Sequence, residues 1–210
     1  FKPNDSLSEI IDFPITSEHI DKTGCIVIYE DPEKINDEVP HSLYIAGCDP
    51  YDQDKSYQGS LGSFFIYKRF YQANKTHDII VAEYTGRPEK SDMFYENCRK
   101  LCIYYNAKVL YENQLTGFKV YMQQKNCLHY MWEQPEIIKD IVKDSRVQRG
   151  YGIHMSNEIK RYGEGLINTW LRKSYEGDVK VCHKIRCQPL LKEVCKLLRS
   201  VCADISSGLR

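Results

Sequence analysis

Three short apolar runs separated by turn residues, then one long helical stripe and a fourth apolar run, leave few folds open to this chain. The runs are LYIAGC (43–48), GSFFIYKRF (62–70) and HDIIVAEY (77–84), rich in aliphatic and aromatic residues and bounded by turn formers. Gly59 in the connection between the first two and Gly62 at its end suit a hairpin, so consecutive runs are expected to pair antiparallel. From Ser91, read as an N-cap, residues Phe94, Cys98, Leu101, Cys102 and Tyr105 fall on one helical face. AKVLYEN (107–113) follows as a strand, TGFKVYMQQKN as a short helix and CLHYMW (127–132) as a further strand. Pro135 opens the helix PEIIKDIVK, where proline is tolerated. NEIKRYGEGLINTWLRK is expected to form an amphipathic helix burying Ile159, Tyr162, Leu166, Ile167 and Trp170. A last helix, beginning near Pro189, is expected to bury Leu191, Val194, Cys195, Leu198 and Cys202. Ahead of all these, GCIVIYE (24–30) reads as a short strand and residues 1–24 as a linker or N-terminal arm, leaving 25–210 as one domain.

Antiparallel strands, a crossover helix, then alternating strand and helix predict an α/β domain with a mixed central sheet flanked by helices. This is the element order of the ribonuclease H-like fold. In that fold the first and fourth of these strands are neighbours at the sheet centre. Asp49, ending the first in YIAGCDPYDQDKS, then lies beside Glu112, ending the fourth in YENQLTG. Each alone has an ordinary reading, an acidic turn for Asp49 and a lysine-paired strand-end glutamate for Glu112. Together they suit hard divalent cations, which choose carboxylate oxygens. Carboxylates from adjacent strand ends can bridge two Mg²⁺ or Mn²⁺ ions roughly 3.5–4 Å apart, an arrangement that activates water and stabilises the leaving oxygen of a phosphodiester. Asp49 and Glu112 are therefore the candidate catalytic and metal-binding residues. Asp52 and Asp54 read as acidic turn residues, with an outer-shell role as the alternative. Glu83, ending IIVAE, reads as an edge charge rather than a ligand. His154 reads as a surface loop histidine, with a phosphate contact or acid role as the alternative.

Charge separates along the chain. Lys and Arg number 11 against 18 acids in residues 1–100 and 18 against 11 in residues 101–210, so a net charge of zero conceals halves of −7 and +7. Such asymmetry suits a local basic face for a polyanion. Arg146, Arg149, Lys160, Arg161, Arg172 and Lys173, in or beside the basic stretch DSRVQRGYGIHMS, are the candidate DNA-phosphate contacts. The nine cysteines follow no zinc spacing: Cys98 and Cys102 are four apart on the predicted helix, and Cys182, Cys187, Cys195 and Cys202 make no CxxC pattern. They read as reduced structural thiols. No run of transmembrane length and no signal peptide occur, and the first residue is Phe, so the sequence is read as a piece of a longer protein.

The stretches YIAGCDPYDQDKS, IVAEYTGRP, YYNAKVLYENQLTG and NEIKRYGEGLINTWL resemble the nuclease domain of the large terminase subunit of tailed bacteriophages, with the crAss-like phages of gut Bacteroidetes most similar. The resemblance covers about residues 25–195. It implies a Mg²⁺- or Mn²⁺-dependent endonuclease that cuts concatemeric viral DNA during genome packaging in the cytoplasm of the infected host. It implies double-stranded DNA, the portal protein and the small terminase subunit as partners, and no membrane. It matches Asp49 to the first metal ligand and Glu112 to the second. The family's ATPase motor would need a G-x-x-x-x-G-K-[ST] loop, which is absent; GSLGS at 59–63 is only a glycine-rich hairpin. The family's third carboxylate lies near the C-terminus after an Asn-Phe-Asp-like segment. Here the chain reads LLRSVCADISSGLR instead, leaving Asp204, with Glu193 one helix earlier, as the available acids. Two alternatives stay open: another ribonuclease H-like polynucleotidyl transferase, such as a resolvase or integrase, and a DNA- or portal-docking module with an incomplete metal site.

Overall fold

A computed structural model describes residues 22–52, 60–70, 77–141, 150–174, 184–187, 190–191 and 193–194. Its centre is a five-stranded mixed sheet built from β1 (Ile26–Ile28), β2 (Tyr44–Asp49), β3 (Gly62–Lys68), β4 (Ile79–Gly86) and β5 (Lys108–Tyr111), in the order β1-β4-β3-β2-β5. β2, β3 and β4 pair antiparallel as the turn spacing predicts, and β1 adds antiparallel to β4. β5 returns parallel to β2, with Ile45 opposite Lys108 and Cys48 opposite Tyr111. A parallel return needs a crossover, and α1 (Ser91–Tyr104) supplies it.

Period-two alternation divides the sheet into two faces. Tyr44, Ala46 and Cys48 of β2 and Phe64 and Ile66 of β3 are buried on the face covered by α1 and α2 (Gly117–Gln124). Phe94 of α1 stacks on Tyr84 with ring centroids 5.2 Å apart and tilts against Tyr51 at 5.4 Å. Cys48, Cys98, Cys102 and Cys127 are free thiols buried in this core. Burial pushes the Cys102 thiol well above its usual range, which suits an inert apolar role. Lys68, ending β3 on the same face, is buried but bonded to Glu30 and lies 3.0 Å from Glu33, so its charge is compensated.

The opposite face is crossed by α4 (Asn157–Arg172), capped where the Ser156 side chain accepts from the Ile159 amide at 3.3 Å. Ile159 packs with Ile138 of α3 (Glu136–Ile141) and Ile153 at one end. At the other end the Trp170 ring meets Tyr67 edge-on at 5.9 Å, and Lys173 pairs with Asp78. The helix is thus pinned at both ends rather than along a continuous stripe. Leu166 and Ile167, expected inside, are 53% and 36% exposed; Tyr162 and Trp170 are half-buried, and Leu171 is buried instead. The mid-helix glycines Gly163 and Gly165 have nothing within 4 Å of where a Cβ would stand among the described residues.

Two further expectations change. CLHYMW forms a 3-10 turn at Leu128–Tyr130 and then single bridges rather than a strand. Asn126 takes a positive φ of 54° and the Cys127 amide bonds back to the Met122 carbonyl, so the chain is still closing α2 where the apolar run starts. Met131 nonetheless bridges Val109 in parallel, outside β5. Ser91 is the first residue of α1, not its cap: Lys90 precedes the helix, with no side-chain capping bond. The predicted arm over 1–24 falls on undescribed residues up to 21, and by Lys22 the chain is docked, its carbonyl accepting from the Arg87 amide at 2.5 Å. Near the end, residues 190, 191, 193 and 194 are helical with Val194 buried, while Cys195, Leu198 and Cys202 lie outside the described residues. No helix among the described residues is long and apolar enough to cross a membrane.

Candidate metal centre

Asp49 is the last residue of β2, and Glu112 immediately follows β5. Because these strands run parallel and in register through Cys48 and Tyr111, the two carboxylates occupy neighbouring positions on one face. The Glu112 amide donates to the Cys48 carbonyl at 3.0 Å, holding the strand ends together at this point. Asp49 is exposed and Glu112 half-buried. Neither side chain takes a hydrogen bond or a direct ion pair from the described residues.

Partial burial raises the Asp49 carboxyl above its usual range, opposed by the Lys160 charge. Glu112 is raised by burial first and by the Asp49 charge second, with Lys160 and His154 pulling the other way. A half-buried glutamate raised by the charge of a neighbouring aspartate, with no bonded partner for either among the described residues, is in unfavourable electrostatic balance. A divalent cation would relieve it, and oxygen-rich carboxylate sites fit Mg²⁺ or Mn²⁺. Asp49 and Glu112 are the residues able to hold such an ion. Among the described residues no group of three His, Cys, Asp or Glu side chains gathers here or elsewhere as a metal site. Asp204 lies outside the described residues, and Glu193 is an exposed helical charge.

The segment 150–155 keeps this corner in place. Ile153 bridges Glu112 in parallel, donates to the Tyr111 carbonyl at 2.8 Å and accepts from the Asn113 amide at 2.9 Å. Gly152 makes the approach possible: its φ is +81°, and a Cβ there would meet the Tyr111 ring at 2.5 Å. Ile153 then joins Ile138 and Ile159, which brings the first turn of α4, and Lys160 with it, to the acid pair.

The candidate DNA contacts separate. Lys160 acts electrostatically on both acids, and Arg161 beside it is exposed. Lys173 is tied to Asp78, and Arg172 donates to Asn168 Oδ1 at 2.7 Å. With 1.5 Å of rise per residue, that end of α4 is roughly 20 Å from Lys160, so the four do not form one patch. Arg146 and Arg149 lie outside the described residues.

Two acids take roles that sequence reasoning missed. Asp52 accepts from the Tyr95 hydroxyl and, at 3.1 Å, from the Gly117 amide, so it clamps the start of α2 and is not free for an ion. Asp54 lies outside the described residues. Glu83, expected as an edge charge, is 5% exposed, because β1 covers the edge that β4 would otherwise form. It accepts from the Tyr29 hydroxyl at 2.8 Å and from the Cys187 thiol.

Beside the carboxylates, the second sheet face opens into a cleft of about 760 Å³. Ile45, Gly47, Phe65, Leu110 and Trp132 line it, with Asp49 and Glu112 among its lining residues. A glycine in the middle of a strand was the sequence signal for this opening.

In comparison with known proteins, the chain matches no family model and no curated protein.

Proposed function

We propose that this protein is a divalent-metal-dependent DNA endonuclease of ribonuclease H-like architecture, acting as the nuclease of a phage packaging terminase. The observation that carries the reading is the placement of Asp49 and Glu112 at the ends of adjacent parallel strands, without bonded partners among the described residues and with the Asp49 charge raising the Glu112 carboxyl. The neighbour order β4-β3-β2-β5, with Met131 bridging outside β5, is consistent with that architecture. Asp49 and Glu112 would hold the metal. When bound, the ion supplies Lewis acidity toward a phosphodiester and lowers the pKa of its water. Lys160 offsets the negative charge of the pair and offers an approaching phosphate a cationic flank.

Plasmid nicking in Mg²⁺ and in Mn²⁺ tests this reading, beside Asp49→Asn and Glu112→Gln. Nicking by the parent chain that both variants lose is expected; full activity in either variant would overturn the site. A docking module for DNA or the portal is favoured by one observation, that only two acids gather at the site among the described residues. DNA retained in a gel shift in EDTA, with no nicking in either metal, would establish that second reading.

A further inference from the structure

We infer that the cleft beside the carboxylate pair receives an unpaired nucleotide of the strand being cut, so that the substrate class is DNA with a locally unpaired strand. This rests on the nuclease reading above and specifies its substrate. Gly47 stands in the middle of β2, paired to Phe65 on one side and Leu110 on the other, and a Cβ there would meet nothing within 4 Å among the described residues. Glycine weakens a strand interior, and its presence there marks a place where something approaches the backbone closely. Around it, Ile45, Phe65 and Leu110 are only partly buried and Trp132 is 36% exposed, so the cleft presents apolar and aromatic surface.

The charged lining among the described residues lies at one end, where Asp49 and Glu112 sit with Lys160 and His154 beside them. That division matches a nucleotide: phosphate at the charged end, base against the apolar wall. Uninterrupted duplex cannot use the wall, because its bases are stacked inward while its phosphates face the protein. A base turned out of the helix can, and turning it out costs least where it is mismatched or unpaired. A volume of about 760 Å³ is within the range of small-ligand pockets, ample for a base. The Tyr67 hydroxyl is already committed to Asp78, so the wall offers stacking rather than base-edge recognition, and the preference is for strand state rather than sequence.

The test is fluorescence anisotropy with the full chain in EDTA. It compares a perfect duplex with the same duplex carrying one unpaired 2-aminopurine nucleotide. The unpaired DNA is expected to bind about tenfold or more tightly, with quenching of the 2-aminopurine. Gly47→Leu fills the cleft and is expected to erase both the preference and the quenching. Its melting temperature is expected to hold or rise, since the added side chain enters open space. Equal affinity for the two DNAs, or a preference that survives Gly47→Leu, overturns the inference. A large fall in melting temperature also overturns it, because the chain's own residues would then fill the cleft. Failure to bind either DNA sinks the nuclease reading itself, whereas equal binding sinks only this inference.

Discussion

Glu83 gives the strongest test of how this chain handles buried charge. Its carboxylate sits inside the sheet with one oxygen accepting from Tyr29 and the other from the Cys187 thiol, whose sulfur accepts from the Leu190 amide at 3.2 Å. Burial raises the Glu83 carboxyl above its ordinary value, and the two hydrogen bonds only partly oppose that. The titratable groups facing it are Tyr29, Cys187 and, across the strand pair, Cys25. A folded-state value raised above the unfolded one means that the folded protein holds the proton more tightly. The stabilising contribution is then complete below the ordinary glutamate value and is lost as pH rises through the raised one, at up to about 1.4 kcal/mol per pH unit within that window. Glu83→Gln keeps the volume and one acceptor oxygen while removing the buried charge. It is expected to match or exceed the parent chain by about 1 kcal/mol at pH 8, and to fall below it near pH 4, where the parent carboxyl is neutral and both donates and accepts. Glu83→Ala leaves the Cys187 S–H and the Tyr29 hydroxyl without their acceptor and opens a cavity, at a cost of about 2–4 kcal/mol by analogy with large-to-small core substitutions. Urea unfolding of the three proteins from pH 4 to pH 8 measures these differences. If the parent gains on Glu83→Gln as pH rises, the carboxylate is stabilised in its charged form and the reasoning is wrong.

Asp49→Asn is expected to leave the metal-free melting temperature level or raise it, because it removes the charge that raises the Glu112 carboxyl. Mg²⁺ or Mn²⁺ at a hundredfold excess over its dissociation constant should then raise the parent by about 5–10 °C and leave the variant unmoved; differential scanning fluorimetry reads both, and equal shifts would refute the site. Asp52→Ala is expected to cost about 1–3 kcal/mol by removing the bonds to Tyr95 and the Gly117 amide. Hydrogen exchange should localise the loss to the first turn of α2, and unchanged protection there would show that Asp52 is no clamp.

The strands and the antiparallel pairing of β2, β3 and β4 were legible because they rely on local signals: short apolar runs, turn residues between them, and one helix long enough to cross over. Setting Asp49 beside Glu112 took one step more, the expectation of a ribonuclease H-like element order in which the first and fourth of these strands are neighbours, and β2 and β5 do pair. The same signals fail where a residue's role depends on what arrives from far along the chain. Asp52 looks like any turn aspartate until Tyr95 and Gly117, 43 and 65 residues later, converge on it. Glu83 reads as an edge charge because nothing in IIVAE announces that β1 will cover that edge and that Cys187 will return 104 residues later to bond it. The stripe on α4 illustrates the converse. Periodicity reports which face could be buried, but burial also needs a partner, and the described residues supply one only at Ile159 and around Trp170 and Leu171. Lys160 was visible as a basic residue and invisible as the countercharge of the acid pair, since its position follows from Ile159 meeting Ile153, a contact between a helix and an irregular segment with no period to read. The carboxylates of the proposed centre lie at strand ends fixed by local pattern. The groups that tune them arrive by tertiary packing, so the pair could be read from the sequence and its electrostatics could not.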